Sequence, residues 1–432
     1  MTGEQACVLQ TLAEKLIARA AGRESVTPGE VVTCQVDLAM MHDSGGPRRV
    51  KPLLERLGAS IWDPARVVVV SDHFSPAGDD ESAAILDITR SWVATEGVEN
   101  FYDGEGICHV VLPERGYLRP GQFVVGGDSH SPTGGAFGCY MFGVGATDMA
   151  AILATGETWL QVPETLRIDC SGRFAPGVAA KDLILRLIAT LGLGGAAYRA
   201  VEFTGAAISS LAMAERMTLC NMTAELGAQT GLIAPDEVTT AYLRTVGVEG
   251  VEPGRWHSDP QALVSDHISV NVSALEPQVA APHSPANAVA ISEVPEVSID
   301  RCYIGACTGA KLIDLQVAAN VVRGRRVAGS TRLLVAPASA RVAAEAEADG
   351  TLAALVDAGA DVLPTGCGAC AGYGGNLLQP GEICLSSTAR NFQGRMGAMD
   401  AEVYLASPGT VAASAITGRI TDPRGFIAGS GG

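Results

Sequence analysis

The sequence is poor in charged and aromatic side chains, and most of its charges are negative. Only 18% of the 432 residues are charged and 5% are aromatic; 47 Asp and Glu outnumber 30 Lys and Arg, giving a formal net charge of −17. A polyanionic nucleic acid or an anionic membrane surface is therefore disfavoured as the main partner. An anionic small molecule is not excluded, because a few arginines dominate the potential of a pocket within a Debye length of about 8–10 Å.

The sequence also lacks a long apolar run and a secretory signal. No segment approaches the roughly 20 apolar residues needed to span a bilayer. Residues 1–22 place Glu4, Glu14, Lys15 and Arg19 among apolar residues, which predicts an amphipathic helix. Eleven cysteines, an odd number, without an export signal predict reduced thiols and a cytoplasmic protein. Six of them are predicted to be small buried hydrophobes: Cys7, Cys34, Cys139, Cys170, Cys220 and Cys384.

Short β-branched segments alternate with Ala- and Leu-rich segments, which indicates an α/β fold. The predicted strands are residues 66–71, 108–113, 122–126, 166–170, 200–203, 297–304, 331–337 and 361–364. The predicted helices are residues 81–95, 147–155, 180–191, 312–322 and 340–349. A proline-rich segment, residues 276–297, is predicted to connect an N-terminal part, 1–285, to a C-terminal lobe, 286–432.

Three cysteines lie in glycine-rich turns: Cys307, and sixty residues later Cys367-Gly-Ala-Cys370. A Cys-x-x-Cys pair is compatible with a redox pair, half a zinc site, part of an iron–sulfur site or two buried thiols. The second Cys-x-x-Cys or His pair of a zinc knuckle is missing. Three thiolates, with no fourth cysteine at a matching spacing, suit a four-iron cluster in which one iron has no protein ligand and acts as a Lewis acid.

Three of the seven histidines, His73, His109 and His130, follow or end predicted strands of the N-terminal lobe. This clustering predicts a shared pocket, because catalytic groups gather on the loops after parallel strands. Asp72 and Asp128 lie beside two of these histidines and can fix imidazole tautomers by hydrogen bonding.

Other polar residues have both structural and functional interpretations. Ser129 lies between an aspartate and a histidine, but outside a Gly-x-Ser-x-Gly elbow, which disfavours a serine hydrolase. Arg390 and Arg395 flank a short turn. Their planar guanidinium groups can bind a carboxylate, or they are ordinary arginines of a surface loop. Glu202, between apolar neighbours of a predicted strand, is either an edge residue or a buried carboxylate tuned for proton transfer.

Four strings are the most specific: Gly-Asp-Ser-His at 127–130, Ile-Gly-Ala-Cys-Thr at 304–308, Gly-Cys-Gly-Ala-Cys at 366–370 and Arg-Asn-Phe-Gln-Gly-Arg-Met-Gly at 390–397. With them, nearly the whole chain resembles the aconitase superfamily, specifically the large subunits of two-subunit hydro-lyases of the 3-isopropylmalate dehydratase type. The resemblance implies a multi-lobed α/β/α fold with a cluster site in the cleft between lobes.

The resemblance also implies a role for each matched residue. Cys307, Cys367 and Cys370 match the three ligands of a [4Fe-4S] cluster with one open iron. The implied acid–base residues are Asp72, His73, His109, Asp128, His130 and Glu202. The implied substrate-binding residues are Ser129, Arg390, Arg395 and His42.

The implied reaction removes and returns water on a hydroxy di- or tricarboxylic acid. 3-Isopropylmalate is the leading substrate; homoaconitate, citraconate or 2-methylmalate, and dimethylmaleate are alternatives. The family carries its catalytic serine base on a swivelling domain, so the resemblance implies a small partner subunit that completes the site. Two alternative hypotheses assign the chain to other functional classes. One is a non-catalytic iron sensor that loses its cluster and binds RNA, which the negative charge disfavours. The other is a scaffold stabilised by zinc or by disulfides.

The sequence departs from the family pattern at two positions near the cluster. The usual Cys-Thr-Asn becomes Cys307-Thr308-Gly309, and the usual Asn-Arg-Asn-Phe begins with Ala389. Because each change removes an amide side chain, we expect altered hydrogen bonding around the cluster or the substrate. Lys311 places a positive charge close to the first change.

Overall fold

The computed structural model describes residues 8–373 and 375–427. Its strands are β1 Val31–Gln35, β2 Leu38–His42, β3 Val67–Ser71, β4 Asn100–Asp103, β5 Phe123–Gly126, β6 Tyr140–Gly143, β7 Glu157–Gln161, β8 Thr165–Ser171, β9 Ala200–Thr204, β10 Thr230–Ile233, β11 Asp266–Asn271, β12 Gln278–Ala280, β13 Ala288–Ala290, β14 Arg301–Ile304, β15 Arg332–Val335, β16 Ala360–Val362, β17 Ile383–Ser386 and β18 Glu402–Leu405. Its α-helices are α1 Leu12–Ala20, α2 Pro47–Leu57, α3 Asp80–Glu96, α4 Cys108–Glu114, α5 Ala146–Thr155, α6 Ala180–Leu191, α7 Ala206–Ser209, α8 Met213–Met222, α9 Glu237–Thr245, α10 Leu312–Val322, α11 Ala340–Ala348, α12 Thr351–Ala358 and α13 Pro408–Thr417.

The first sheet is parallel throughout, in the order β4-β3-β2-β5-β6. Its central strands are buried because their residues are almost all apolar, and Val67–Ser71 is 0% exposed. Strands β2, β3 and β5 end at His42, Ser71 and Gly126, so the segments that follow them meet at one edge of the sheet.

A second parallel sheet, in the order β10-β9-β8-β11, packs beside the first. Its helix α8 contacts the 3₁₀ segment Ser131–Phe137, which follows the loop after β5. Helix α8 continues into the 3₁₀ turn Thr223–Leu226. Residues at the end of α8 and in this turn are thereby brought to the edge of the first sheet.

The third sheet has the order β13-β12-β18-β17-β14-β15-β16, parallel from β18 to β16 and antiparallel at its β12 and β13 edge. Strand β14 leads into the turn of residues 305–309, and β17 leads into residues 387–390. The predicted connector, residues 276–297, is wrong as a linker, because it forms β12, β13 and two 3₁₀ turns of this sheet. The sheet therefore starts before the boundary predicted at residue 285.

The strand predicted at residues 108–113 is also wrong, because this segment forms helix α4. Its residues are buried on every side, and a short, continuously apolar run does not distinguish a buried strand from a buried helix. The N-terminal helix is shorter than predicted, Leu12–Ala20. Cys7 and the first residues of that prediction lie outside the described residues; the other cysteines predicted as buried hydrophobes are buried.

Within the described residues, no helix combines the length and the apolar character that crossing a bilayer requires. The predicted fold class, a multi-lobed α/β protein, is confirmed.

Candidate active site

Two histidines and two aspartates gather at the carboxyl ends of β2 and β3. The ligand atoms of His42, Asp43, Asp72 and His73 lie within 4.8 Å of one another, and the two imidazoles stack with centroids 4.2 Å apart. His73 Nδ1 lies 2.6 Å from Asp72 Oδ1. The backbone N–H groups of His73 and Phe74 donate to the Asp43 carboxylate at 3.1 and 2.8 Å, which holds the loop after β3 against the end of β2.

A second group forms where helix α4 meets the loop after β5. His109 Nε2 donates to Asp128 Oδ1 at 2.7 Å, and the backbone N–H of His130 donates to the same oxygen at 2.7 Å. His42 Nε2 lies 3.8 Å from the other oxygen, Asp128 Oδ2, so the two groups are continuous. The predicted convergence of His73, His109 and His130 is thus present, although His109 lies on a helix and not at a strand end.

The two stacked imidazoles hold their protons differently. Burial, and then the neighbouring His73, lower the pKa of His42 to about 4. Its Nε2–H donates to Gly127 O at 3.0 Å, so His42 is neutral at pH 7 in one tautomer. Burial also acts against charge on His73, but Asp72 outweighs it and raises the pKa of His73 to about 9. Adjacent rings therefore form one neutral and one protonated imidazole.

A buried glutamate that the sequence did not single out ties this site to the third sheet. Glu225 Oε1 accepts from His130 Nε2 at 3.1 Å and from Arg390 Nε at 2.6 Å. Arg390 Nη1 donates to Ser129 Oγ at 2.9 Å. Burial opposes the charge on Glu225, yet His130 and Arg390 hold the pKa of Glu225 below its usual value. One sequence signal could have pointed to Glu225: it lies four residues after another polar residue, Asn221, and this spacing places two side chains on one helical face.

The structure does not bring Glu202 into this group. Glu202 is the middle residue of β9 and is 2% exposed. Its carboxylate accepts from Ser258 Oγ at 2.6 Å and from Arg167 Nη2 at 3.2 Å. None of the hydrogen bonds of the site residues in the described part of the chain reaches Glu202.

The three predicted cluster cysteines converge on the same region. Cys367 N donates to Asp72 O at 2.8 Å, which ties the Cys-Gly-Ala-Cys turn to the acid–base loop. Burial, then Cys370, raise the pKa of Cys307 to about 12; burial, then Asp72, raise the pKa of Cys367, with Cys370 and Cys307 adding to the shift. The Cys307 and Cys367 thiols are therefore each affected electrostatically by the other cysteines of this group.

The geometry of these thiols tests which metal group they fit. The described residues include no group in which these three sulfur atoms all lie within 4.8 Å of one another. A single tetrahedral zinc, with Zn–S bonds of about 2.3 Å, requires sulfurs about 3.8 Å apart. Cysteines that lie near one another without sharing the coordination shell of one ion fit a larger group, such as a four-iron cluster, better than they fit zinc.

The surroundings of the cysteines also fit such a cluster. Asn221 Nδ2 donates to Cys307 Sγ at 3.2 Å, while Asn221 Oδ1 is buried without a partner in the described structure. Arg395 Nε donates to Cys370 O at 2.8 Å; burial disfavours the Arg395 charge, but Cys370 and Cys367 raise the pKa of Arg395. Hydrogen bonds and positive charge around cysteine sulfur are what an anionic cluster requires.

The first departure from the family pattern has a packing reason. A side chain at Gly309 would overlap that of Ser387 and would lie 2.7 Å from its carbonyl oxygen. Asparagine therefore does not fit on this backbone. Lys311 Nζ donates to Cys307 O at 2.9 Å and pairs with Asp314 at 2.8 Å, so it does lie beside the cysteine.

The site opens to solvent through a cavity of about 410 Å³ whose lining includes Asp128, Ser129 and Arg390. Imidazole–carboxylate pairs can transfer protons, an arginine can bind an anionic group and thiols can hold a metal group, so this set of side chains is compatible with a hydro-lyase, an enzyme that adds or removes water.

Comparison with known proteins supports the same class. The model of the aconitase family (aconitate hydratase) matches residues 14–297 and 292–418. The chain belongs to the aconitase family.

Relatives align along almost their whole length. The 3-isopropylmalate dehydratase large subunit 1 of Methanopyrus kandleri is 46% identical over 422 residues, covering 97% of this chain and 100% of the relative. A probable methanogen homoaconitase large subunit of Methanosarcina mazei is 47% identical over 390 residues, 90% of this chain and 98% of the relative. The 3-isopropylmalate dehydratase large subunit of Moorella thermoacetica is 43% identical over 420 residues, 96% of this chain and 99% of the relative.

Proposed function

We propose that this chain is the large subunit of a two-subunit, [4Fe-4S]-dependent hydro-lyase of the 3-isopropylmalate dehydratase type. The observation that carries the proposal is the convergence of Cys307, Cys367 and Cys370 on the His–Asp groups, made by the Cys367-to-Asp72 backbone hydrogen bond. Relatives named as 3-isopropylmalate dehydratase and homoaconitase large subunits support it, at 46% and 47% identity.

Cys307, Cys367 and Cys370 would hold the cluster. When bound, it supplies a Lewis-acidic iron for the hydroxyl group that leaves the substrate. Asn221 would support it through the Nδ2–H that already points at Cys307 Sγ.

Arg390 would bind a substrate carboxylate. Glu225 and Ser129 fix its guanidinium through Nε and Nη1, and in the described structure no hydrogen bond uses Nη2. A guanidinium fixed in this way binds a carboxylate with little loss of side-chain entropy. Glu225, and not Glu202, would be the glutamate of the acid–base network.

His73 would act as the general acid. Asp72 orients its ring and keeps it protonated at neutral pH. The stacked, neutral His42 adds no second positive charge beside it. His109, Asp128 and His130 would hold the substrate and its departing hydroxyl through the continuous hydrogen-bond network.

The base that removes the proton from carbon would come from a small partner subunit covering the cavity beside Ser129 and Arg390. The names of the relatives, which are large subunits, support a second subunit. Homoaconitate hydration is the second candidate function, because relatives named for it are as similar to the chain as those named for 3-isopropylmalate. Citraconate or 2-methylmalate and dimethylmaleate are further substrates to test.

The test is anaerobic co-expression with the candidate small subunit, followed by iron and sulfide analysis and a screen of hydroxy acids for ultraviolet absorbance of the alkene. We expect about four irons and four sulfides per large subunit and turnover of one of these acids. Arg390→Lys should bind the cluster but lose most of the turnover. A wild-type complex that takes up neither iron nor sulfide would overturn the proposal.

A further inference from the structure

Lys181 is a buried ammonium group behind the candidate cluster site. It lies in the first turn of α6 and is 2% exposed. Its Nζ donates to the backbone oxygens of Ser387 and of Thr388, the latter at 2.7 Å, and to Thr308 Oγ1 at 3.4 Å. No ion pair of the described residues includes Lys181, although a buried charge normally requires one.

The directions of these hydrogen bonds favour a charged lysine. Thr308 Oγ1 donates its own hydrogen to Ser387 O at 2.9 Å, so it accepts from Lys181. All three partners of Nζ are therefore acceptors, and only –NH₃⁺ offers three donors. Burial, and to a smaller extent Lys311, lower the pKa of Lys181 to about 7, against the attraction of Asp314 and, more weakly, of Cys370 and Cys307.

The acceptors belong to the two loops that build the site. Residues 305–309 carry Cys307, and residues 387–390 carry Arg390. The loops touch directly: Gly305 N donates to Ser387 Oγ at 2.9 Å, and the absent side chain of Gly309 allows the close approach. Lys181 lies beneath this contact and binds both sides of it.

We propose that Lys181 is a positioning residue that fixes the loop of Cys307 against the loop of Arg390 and supplies the buried positive charge that compensates the anionic cluster. The inference rests on the proposed cluster at Cys307, Cys367 and Cys370. It explains why a lysine without a carboxylate contact occupies this position, since the missing negative charge arrives with the cluster. The nearby Lys311 is different, because Asp314 neutralises it locally at 2.8 Å.

The two parts of the inference give different signals. Loss of the hydrogen bonds loosens the loops, so the cluster should dissociate faster. Loss of the charge disfavours the reduced, more negative cluster, so the reduction potential should become more negative. A residue that only filled space would leave the reduction potential unchanged.

The experiment compares wild-type protein with Lys181→Gln, Lys181→Arg and the exposed-charge control Lys51→Gln, each co-purified anaerobically with the small subunit. Iron release to a chelator is followed by the loss of visible absorbance, and the potential by a redox titration monitored by electron paramagnetic resonance. We expect Lys181→Gln to release iron about tenfold faster, as for the loss of one charge-assisted hydrogen bond, and to have a more negative potential. Lys181→Arg should keep the potential closer to that of the wild type, and Lys51→Gln should match the wild type in both.

Lys181→Gln with wild-type iron release and potential would overturn the inference while leaving the proposed function intact. A wild-type protein without a cluster would instead refute the proposed function. If Lys181→Gln does not fold, Thr308→Val removes one of the three acceptors, together with the Thr308–Ser387 hydrogen bond, and keeps the ammonium, so the reduction potential should stay at the wild-type value. Faster iron release from Thr308→Val supports the inference, and unchanged release overturns it.

Discussion

Glu225→Gln tests the link between the acid–base network and the proposed substrate arginine. One carboxylate oxygen, Oε1, accepts from both His130 Nε2 and Arg390 Nε, so the isosteric glutamine can keep both contacts and lose only the charge. A charge-assisted hydrogen bond is worth about 1 kcal/mol more than a neutral one, which gives about 2 kcal/mol for the two. At about 1.4 kcal/mol per tenfold, we expect kcat/KM to fall about 30-fold.

The pH profile of the same variant gives an independent readout. Asp128 and Glu225 raise the pKa of His130 against the effect of burial. Without the Glu225 charge this pKa falls, so a rate that needs protonated His130 should decline at lower pH than in the wild type. The assay is alkene formation by the two-subunit enzyme between pH 6 and 9, a range chosen to bracket the ordinary histidine pKa of about 6.5.

Glu202→Gln is the matched control. Glu202 is also buried and also bonded to an arginine and a second donor, but its partners are Arg167 and Ser258. It should lower the free energy of unfolding by about 1–3 kcal/mol and leave kcat/KM and iron content unchanged. The reasoning is refuted if Glu225→Gln keeps wild-type kcat/KM, or if Glu202→Gln loses as much activity.

Three other predictions concern the cysteines, the stacked imidazole and the tight turn. Cys367→Ser should abolish cluster absorbance, whereas Cys384→Ser, in buried strand β17, should retain it; equal iron contents would contradict the ligand assignment. The pKa of His42 in the folded protein is about 4, so its contribution to stability is present above pH 6.5 and is lost, by about 3 kcal/mol, as the pH falls towards 4. In urea unfolding of cluster-free protein, the free energy of unfolding of His42→Asn should not show this decrease, whereas that of the wild type should. Gly309→Ala should clash with Ser387 and lower the free energy of unfolding by about 1–3 kcal/mol, and an unchanged melting temperature would show that the loops can separate at little cost.

Most of the residues that the structure brings together at the candidate site could be predicted from the sequence because their signals are local. Strand 66–71 was predicted from its valines, and His73 follows from its position after that strand. The Cys-x-x-Cys turn and its glycines were likewise visible in adjacent residues. Placing Cys367 against Asp72 required the resemblance, since nearly 300 residues separate them and no periodicity links two sheets.

The errors arose where tertiary packing decides. Residues 108–113 are apolar throughout and become a helix because they are buried on all sides, so neither the period of a strand nor that of a helix is visible. Glu202 and Glu225 are both carboxylates in apolar surroundings, and only the fold shows which one meets Arg390. The proline-rich segment looked like a linker because its strands, of three residues each, are too short to show alternation.

Asp72 links the acid–base group to the Cys-Gly-Ala-Cys turn. Its side chain accepts hydrogen bonds from His73 Nδ1 and from Cys108 N at the start of helix α4, while its carbonyl oxygen accepts from Cys367 N. A change at the Cys-Gly-Ala-Cys turn, such as oxidation of Cys367 or loss of the proposed cluster, should therefore reach His73, the proposed general acid, through Asp72. Nuclear magnetic resonance of the His73 ring should therefore report whether the proposed cluster is bound, without a substrate being present.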